Sequence, residues 1–167
     1  MCGVPVKIGE SRSAELPKLS LNGEPIPMAE DLLALVAGRV PLLLEIKADG
    51  ELARWGSALA KLLAPYPGRF GLMSFDPLLV RMVKSRLPGI RRGLVVGAKL
   101  SPFRRKLALS LASPQFAAVD RAALGVSWAT SLRRVMPVYS WTIRTQEERA
   151  QAKVHADALI WEADGGP

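Results

Sequence analysis

The sequence predicts an α/β fold built on a parallel sheet. Three observations carry that expectation. Short apolar runs alternate along the chain with stretches whose apolar residues recur at helical spacing, and the connections between them are brief. The run Leu42-Leu43-Leu44 has no polar alternation, as a strand covered on both faces requires. Strands that alternate with helices through short loops form right-handed βαβ units, and these build parallel sheets.

Residues 1–25, rich in Gly, Pro and Ser, read as a connecting segment with one helical turn around Ser13–Leu16. Pro27 opens a helix with Leu32, Leu33, Leu35 and Val36 on its apolar face. Glu30 and Asp31 stand in its first turn, where the helix dipole favours acids, and Gly38 is expected to stop it. A strand over 40–47 follows. Residues 51–64 return to helical period through Leu52, Trp55, Leu59, Leu62 and Leu63, and Pro65-Tyr66-Pro67-Gly68 breaks the chain. Phe70–Phe75 reads as a strand, and Asp76-Pro77 as the N-cap and first residue of a helix through about Arg86, ended by Leu87-Pro88-Gly89. A strand over Arg92–Val96, a loop at Gly97-Ala98-Lys99 and a helix over 101–112 form the next unit. Phe116–Val119 is short and reads as a minor strand, followed by helical stretches at Asp120–Leu124 and Trp128–Val135. Val138–Ile143 is a strand, Thr145 caps a helix that carries Glu147 and Glu148 and ends near Val154, Ala158–Trp161 is the last strand, and a Gly-rich tail follows. The count is about five main strands.

Composition narrows the function. With 49% hydrophobic residues the chain has material for a sizeable core, and no apolar run approaches the roughly 18–20 residues that span a bilayer. The start, Met1–Pro5, is not patterned as a secretory signal. One cysteine, Cys2, leaves no internal disulfide, suits the cytoplasm and suggests nothing catalytic. One histidine, His155, excludes a multi-histidine metal site. The net charge of +8 and pI near 10.2 allow three readings: solvated helix faces, attraction to phosphate, or nucleic acid. The cations come in pairs and triplets (Arg91-Arg92, Arg104-Arg105-Lys106, Arg133-Arg134), and aromatics are only 6% of the chain. Solvated faces therefore come first, phosphate second and nucleic acid last.

In a parallel sheet, chemistry gathers at the carboxyl ends of the strands. Those ends carry Glu45 and Lys47, Ser74 and Phe75, Gly97 and Lys99, Trp141 and Arg144, and Glu162. Glu45 and Lys47, two residues apart, point to one face. Spacing alone favours a solvated ion pair where the strand runs out; the functional alternative is a carboxylate and an ammonium that bind a metal and a phosphate at such a mouth. Ser74 and Phe75 read as strand-end packing before rim residues, and Trp55, Trp128 and Trp161 as half-buried anchors.

Ile26–Val36 followed by Pro41–Lys47 resembles the middle of the glycerophosphodiester phosphodiesterases. Ser74-Phe75-Asp76 is similar to that family's next strand end, Val138–Arg144 to its penultimate strand and Ala156–Ile160 to its last. The resemblance implies a TIM (β/α)8 barrel that hydrolyses glycerophosphodiesters to glycerol 3-phosphate and an alcohol, in lipid and glycerol metabolism, with calcium or magnesium as cofactor. It implies that residues 26–167 form a partial barrel corresponding to strands four to eight. It assigns Glu45 to the metal and to catalysis, Lys47 to the phosphate as a catalytic and substrate-binding residue, and Trp141 to the substrate pocket. The family's His-Arg-Gly, Glu-x-Asp and His-Asp motifs are absent, His155 falls at the wrong end of its unit, and Met28 replaces a capping threonine, a loss of about 1 kcal/mol. The expectation is a truncated member, inactive alone. The alternatives are a phosphate or phospholipid-headgroup site at Lys47, Lys99 and Arg144, or a basic nucleic-acid module. Open sheet edges would allow self-association.

Overall fold

Backbone pairing follows the order of the chain. In the computed structural model, which describes residues 16, 19–21, 23–47 and 52–162, the elements alternate throughout. A two-stranded antiparallel ribbon, β1 (Ser20–Leu21) and β2 (Glu24–Pro25), precedes α1 (Ala29–Val36). Then come β3 (Leu42–Glu45), α2 (Leu52–Leu63), β4 (Phe70–Ser74), α3 (Pro77–Arg86), β5 (Arg91–Val96) and α4 (Pro102–Ala112). They are followed by β6 (Phe116–Asp120), a 3-10 turn (Arg121–Ala123), α5 (Ser127–Arg133), β7 (Val138–Ile143), α6 (Gln146–His155) and β8 (Ala158–Trp161). Cys2, most of the turn expected at Ser13–Leu16 and the C-terminal tail lie outside the described residues.

Strands β3 to β8 form one six-stranded sheet in sequence order, with β4 to β8 paired parallel. Strand β3 runs the same way: Leu42 N–H donates to Arg69 O at 3.0 Å and Ile46 N–H to Met73 O at 2.8 Å, four residues forward along each segment. This is the expected α/β class, a partial TIM barrel, with one strand more than the five counted. The addition is Phe116–Asp120, an interior strand between β5 and β7 rather than a minor one. Its Ala117 and Ala118 weaken the strand signal because alanine fills a pleated surface poorly, yet both are fully buried.

The chain divides into two compact units, residues 1–42 with 49–69 and residues 43–48 with 70–167. In the first, Met28 precedes α1 without a side-chain cap bond, as its thioether dictates. The helix ends at Val36 with Ala37 (φ 48°) as its C-cap, one residue before the expected stop, and Gly38 continues at φ 76°. Only Leu33 of the expected apolar face is buried; Leu35 is 68% exposed. A Cβ on Gly68 would lie 2.7 Å from Gly38 Cα, so the two backbones touch there, and Tyr66 Oη accepts the Gly38 N–H at 3.2 Å.

In the second unit, side-chain alternation splits the sheet into two apolar faces. Leu94, Val96, Ala117, Val119 and Val138 pack on the helices through Val80, Ala112, Ala129 and Leu132. Met73, Val95, Phe116 and Ala118 form the opposite, inner face with Tyr139, Trp141 and Ile160. Burial on both faces is why β5 and β6 read as continuous apolar runs. A Cβ on Gly93 would fall 2.1 Å from the Phe116 ring, so glycine there lets that ring lie across β5. The ring stacks on Tyr139 at 4.8 Å. Helix starts follow the sequence signals: Asp76 Oδ1 accepts the N–H groups of Leu78 and Leu79, Ser101 Oγ that of Arg104, and Thr145 Oγ1 that of Glu148. Among the described residues no helix is long and apolar enough to cross a membrane.

Asp157 joins the end of α6 to the start of β7. Its carboxylate accepts the Val138 N–H at 2.8 Å and the Arg133 Nε–H at 2.9 Å. The Val138 bond, opposed by slight desolvation and assisted by Arg133, holds its pKa below the ordinary 3.8. A carboxylate lowered on folding contributes stability above its unfolded pKa and loses it as pH falls through the folded value. Asp157→Ala is expected to lower unfolding stability by about 1 kcal/mol at neutral pH, and the difference should vanish on acidification below the ordinary carboxylate range. Urea melts across pH check this; a difference that persists in acid contradicts it.

Candidate functional site

Parallel pairing gives the six strands one common carboxyl rim. Ile46 N–H reaches Met73 O, which sets Glu45 beside Met73 and Lys47 beside Phe75. Leu43, two residues before Glu45, comes within 3.6 Å of a Cβ built on Gly71, two residues before Met73. Glu45 therefore shares the inner face with Met73, and through it with Trp141. The three residues singled out from the sequence stand at one end of one sheet.

The sheet curls there. Strands β4 and β7 are three strands apart, about 14 Å in a flat sheet. Yet the rings of Phe75, one residue past β4, and Trp141 meet edge to face with centroids 5.5 Å apart. Trp141 Nε1 donates to Ala118 O at 2.8 Å, which lays the indole across β6. The small residue at 118 leaves room for it. Phe75, read as packing, is half exposed and is a rim residue; Ser74 is the packed one. Ser74 Oγ donates to Ile46 O at 2.6 Å and accepts the Asp76 N–H at 3.1 Å, joining the ends of β3 and β4 to the cap of α3.

Glu45 Oε1 lies 4.0 Å from Lys47 Nζ, with side chains 29% and 84% exposed. At that distance and exposure the pair contributes little, about 0–1 kcal/mol, and the ammonium stays available to an anion. Arg144 is committed elsewhere: its guanidinium holds Glu162 at 2.7 Å, and its N–H donates to Glu148 Oε2 at 2.7 Å. Of the three cations considered for a phosphate, Lys99 has no ion pair among the described residues, and Lys47 has one, to Glu45. The Lys47 contact to Glu45 is the loose one.

Asp120, which sequence reasoning placed only at a helix start, also stands on the rim, level with Trp141. Its carboxylate accepts the N–H groups of Ala98 at 3.4 Å and Ala122 at 3.0 Å. An acid ending an apolar run was the available signal. Calcium and magnesium take six or more oxygen ligands, usually anchored on carboxylates. Among the described residues no three His, Cys, Asp or Glu side chains group to hold an ion. Glu45 alone, with an ammonium beside it, does not make such a site. His155 closes α6 in the helix layer, its Nε2 3.3 Å from a Cβ built on Gly125, and takes no part in the rim.

No protein-family model and no curated protein matches the sequence. Solved structures do resemble it. A phosphodiesterase of Oleispira antarctica, in complex with the product sn-glycerol-3-phosphate, superposes with a TM-score of 0.79 at 19% identity over 92% of this chain and 68% of its own. A glycerophosphodiester phosphodiesterase of Parabacteroides distasonis gives 0.69 at 18% identity over 89% and 65%. A Silicibacter pomeroyi structure, provisionally named a glycerophosphoryl diester phosphodiesterase, gives 0.73 at 21% identity over 86% and 55%. The fold is therefore that of the glycerophosphodiester phosphodiesterases, over the part this chain spans. That part is 55–68% of the length of those proteins.

The Ser74 hydroxyl is the buried polar link between the two strand ends at the mouth. Ser74→Ala strands a carbonyl and an N–H and is expected to lower stability by about 1–2 kcal/mol in urea unfolding. An unchanged midpoint would show that the link contributes nothing.

Proposed function

We propose that this chain is the later part of a glycerophosphodiester phosphodiesterase barrel. In this reading its rim binds the glycerol phosphate moiety without hydrolysing a diester by itself. The observation that supports this best is the convergence at one rim of Glu45, Lys47 and the Phe75–Trp141 pair, on a fold shared with a phosphodiesterase that holds sn-glycerol-3-phosphate.

Each residue has a role in this reading. The Lys47 ammonium meets the phosphoryl oxygens as a point charge, and its exposure leaves it free to do so. Glu45 steers that ammonium and accepts a hydrogen bond from a glycerol hydroxyl. The crossed rings of Phe75 and Trp141 form an apolar wall for the carbon skeleton. A calcium or magnesium ion belongs to the family reading with Glu45 as the one carboxylate offered; phosphate binding by Lys47 does not depend on it.

Hydrolysis asks for more. The attacking water must lose a proton and the leaving alkoxide must gain one. The sequence has one histidine, and it lies on α6. Among the described acids of the rim, Asp120 accepts two backbone N–H groups and Glu162 holds Arg144, which leaves Glu45, and one carboxylate is a poor substitute for a separate base and acid.

Calorimetry with glycerol 3-phosphate is expected to give binding near 1 mM, roughly −4 kcal/mol, lost in Lys47→Ala. Glycerophosphocholine with calcium or magnesium is expected to show no turnover. Absence of binding would overturn the site, and turnover abolished by Glu45→Ala would overturn the inactivity.

A further inference from the structure

The charge of the chain is concentrated in one stretch whose cations the proposed glycerol phosphate site does not use. Residues 77–119 contain nine lysines and arginines and no acid; the other 14 cations face 15 acids. The net charge of +8 therefore belongs to this stretch alone. Asp76 and Asp120 bracket it, each capping a turn with its carboxylate. In the fold the stretch is α3, β5, α4 and most of β6, and α3 and α4 pack side by side. Cations that read as scattered pairs in the sequence are gathered on adjacent elements.

Part of this charge has internal work. Arg81 and Lys84 reach across to the end of α4, at Leu111 O and Ser113 Oγ, and the Arg92 guanidinium donates to Ser113 O. These cations satisfy carbonyls and offset the negative end of the helix dipole. Arg105 lies over the Trp128 ring at 4.1 Å. Lys99, Arg104 and Lys106 are exposed, and the ion pairs among the described residues involve other cations.

The outer face of α4 carries an apolar stripe where solvent calls for polar groups. Phe103 and Leu107, one turn apart and so on one stripe, are 76% and 48% exposed. Arg104 flanks that stripe on one side and Lys106 on the other. On the neighbouring helix Leu78, in the first turn of α3, is also exposed. An apolar ridge bordered by cations on a helix lying along the surface is the arrangement that seats on a bilayer interface: the ridge enters the acyl boundary and the cations meet headgroup phosphates.

We propose that the α3–α4 face, centred on Phe103, Leu107, Arg104 and Lys106, docks on an anionic lipid surface. The complementarity argues for this occupant. A nucleic acid would use the charge but leave the Phe103–Leu107 ridge wet. An anionic bilayer uses both. This inference is independent of the glycerol phosphate site, since it shares no residue with it.

Vesicle co-sedimentation of the full 167-residue chain tests it. Vesicles of phosphatidylcholine with phosphatidylglycerol are expected to bind the chain, and pure phosphatidylcholine to bind at least tenfold less. Raising the salt should weaken binding. Phe103→Ser with Leu107→Ser should weaken it several-fold at constant charge, and Arg104→Glu with Lys106→Glu should abolish it. All four side chains are exposed, so circular dichroism and the unfolding midpoint should stay unchanged, which separates docking from folding. Equal binding to both vesicle types overturns the proposal, as does indifference to the Phe103/Leu107 pair. Tighter binding to a duplex oligonucleotide that ignores that pair would assign the face to nucleic acid instead and overturn it as well.

Discussion

The contact between Phe75 and Trp141 sets the geometry on which the candidate site depends. Two rings that begin three strands apart meet with centroids 5.5 Å apart because the sheet curls toward its inner face. Trp141 is fixed from the other side by its bond to Ala118 O, and Phe116 on Tyr139 forms a second aromatic layer beneath. Such pairs add about 0.5–1.5 kcal/mol each beyond their buried area. Without the curl, Glu45 and Trp141 would be far-separated groups on a flat surface. With it they border one mouth.

That mouth is better furnished for holding an anion than for moving protons. Lys47 extends into solvent with only a loose contact to Glu45, whereas Arg144 and Asp120 are tied to their own surroundings. Ser74 spends its hydroxyl on joining strand ends. The groups at the strand ends thus divide into those without a close partner and those that build the rim. The surplus cations sit instead on α3, β5 and α4, where several neutralise the end of α4 and others flank an exposed apolar ridge.

Local signals carried much of this. Asp76-Pro77, Ser101-Pro102 and Thr145 each cap the helix they announce, because the cap is chemistry within a few residues. The motif order that suggested a phosphodiesterase barrel is matched by the fold of the solved structures. What failed to show was tertiary in origin. Phe116–Asp120 looks weak as a strand because Ala118 makes room for Trp141 from a strand beside it and Ala117 packs against the helices. Asp120 looked like a cap only, because its position level with Trp141 follows from register. The apolar face expected on α1 is largely solvent-exposed, since periodicity reports which residues share a face and not what covers it. The concentration of charge in 77–119 was present in the sequence but read as isolated pairs until α3 and α4 were seen side by side.

The central claim is that the inner face curls until the two rings touch at the rim. A double-mutant cycle on Phe75→Leu and Trp141→Phe, read as unfolding free energies, measures that contact directly. The account predicts a coupling of about 0.5–1.5 kcal/mol between the two positions. Strictly additive effects would contradict it, for then the rings do not meet and the strand ends do not enclose a common mouth.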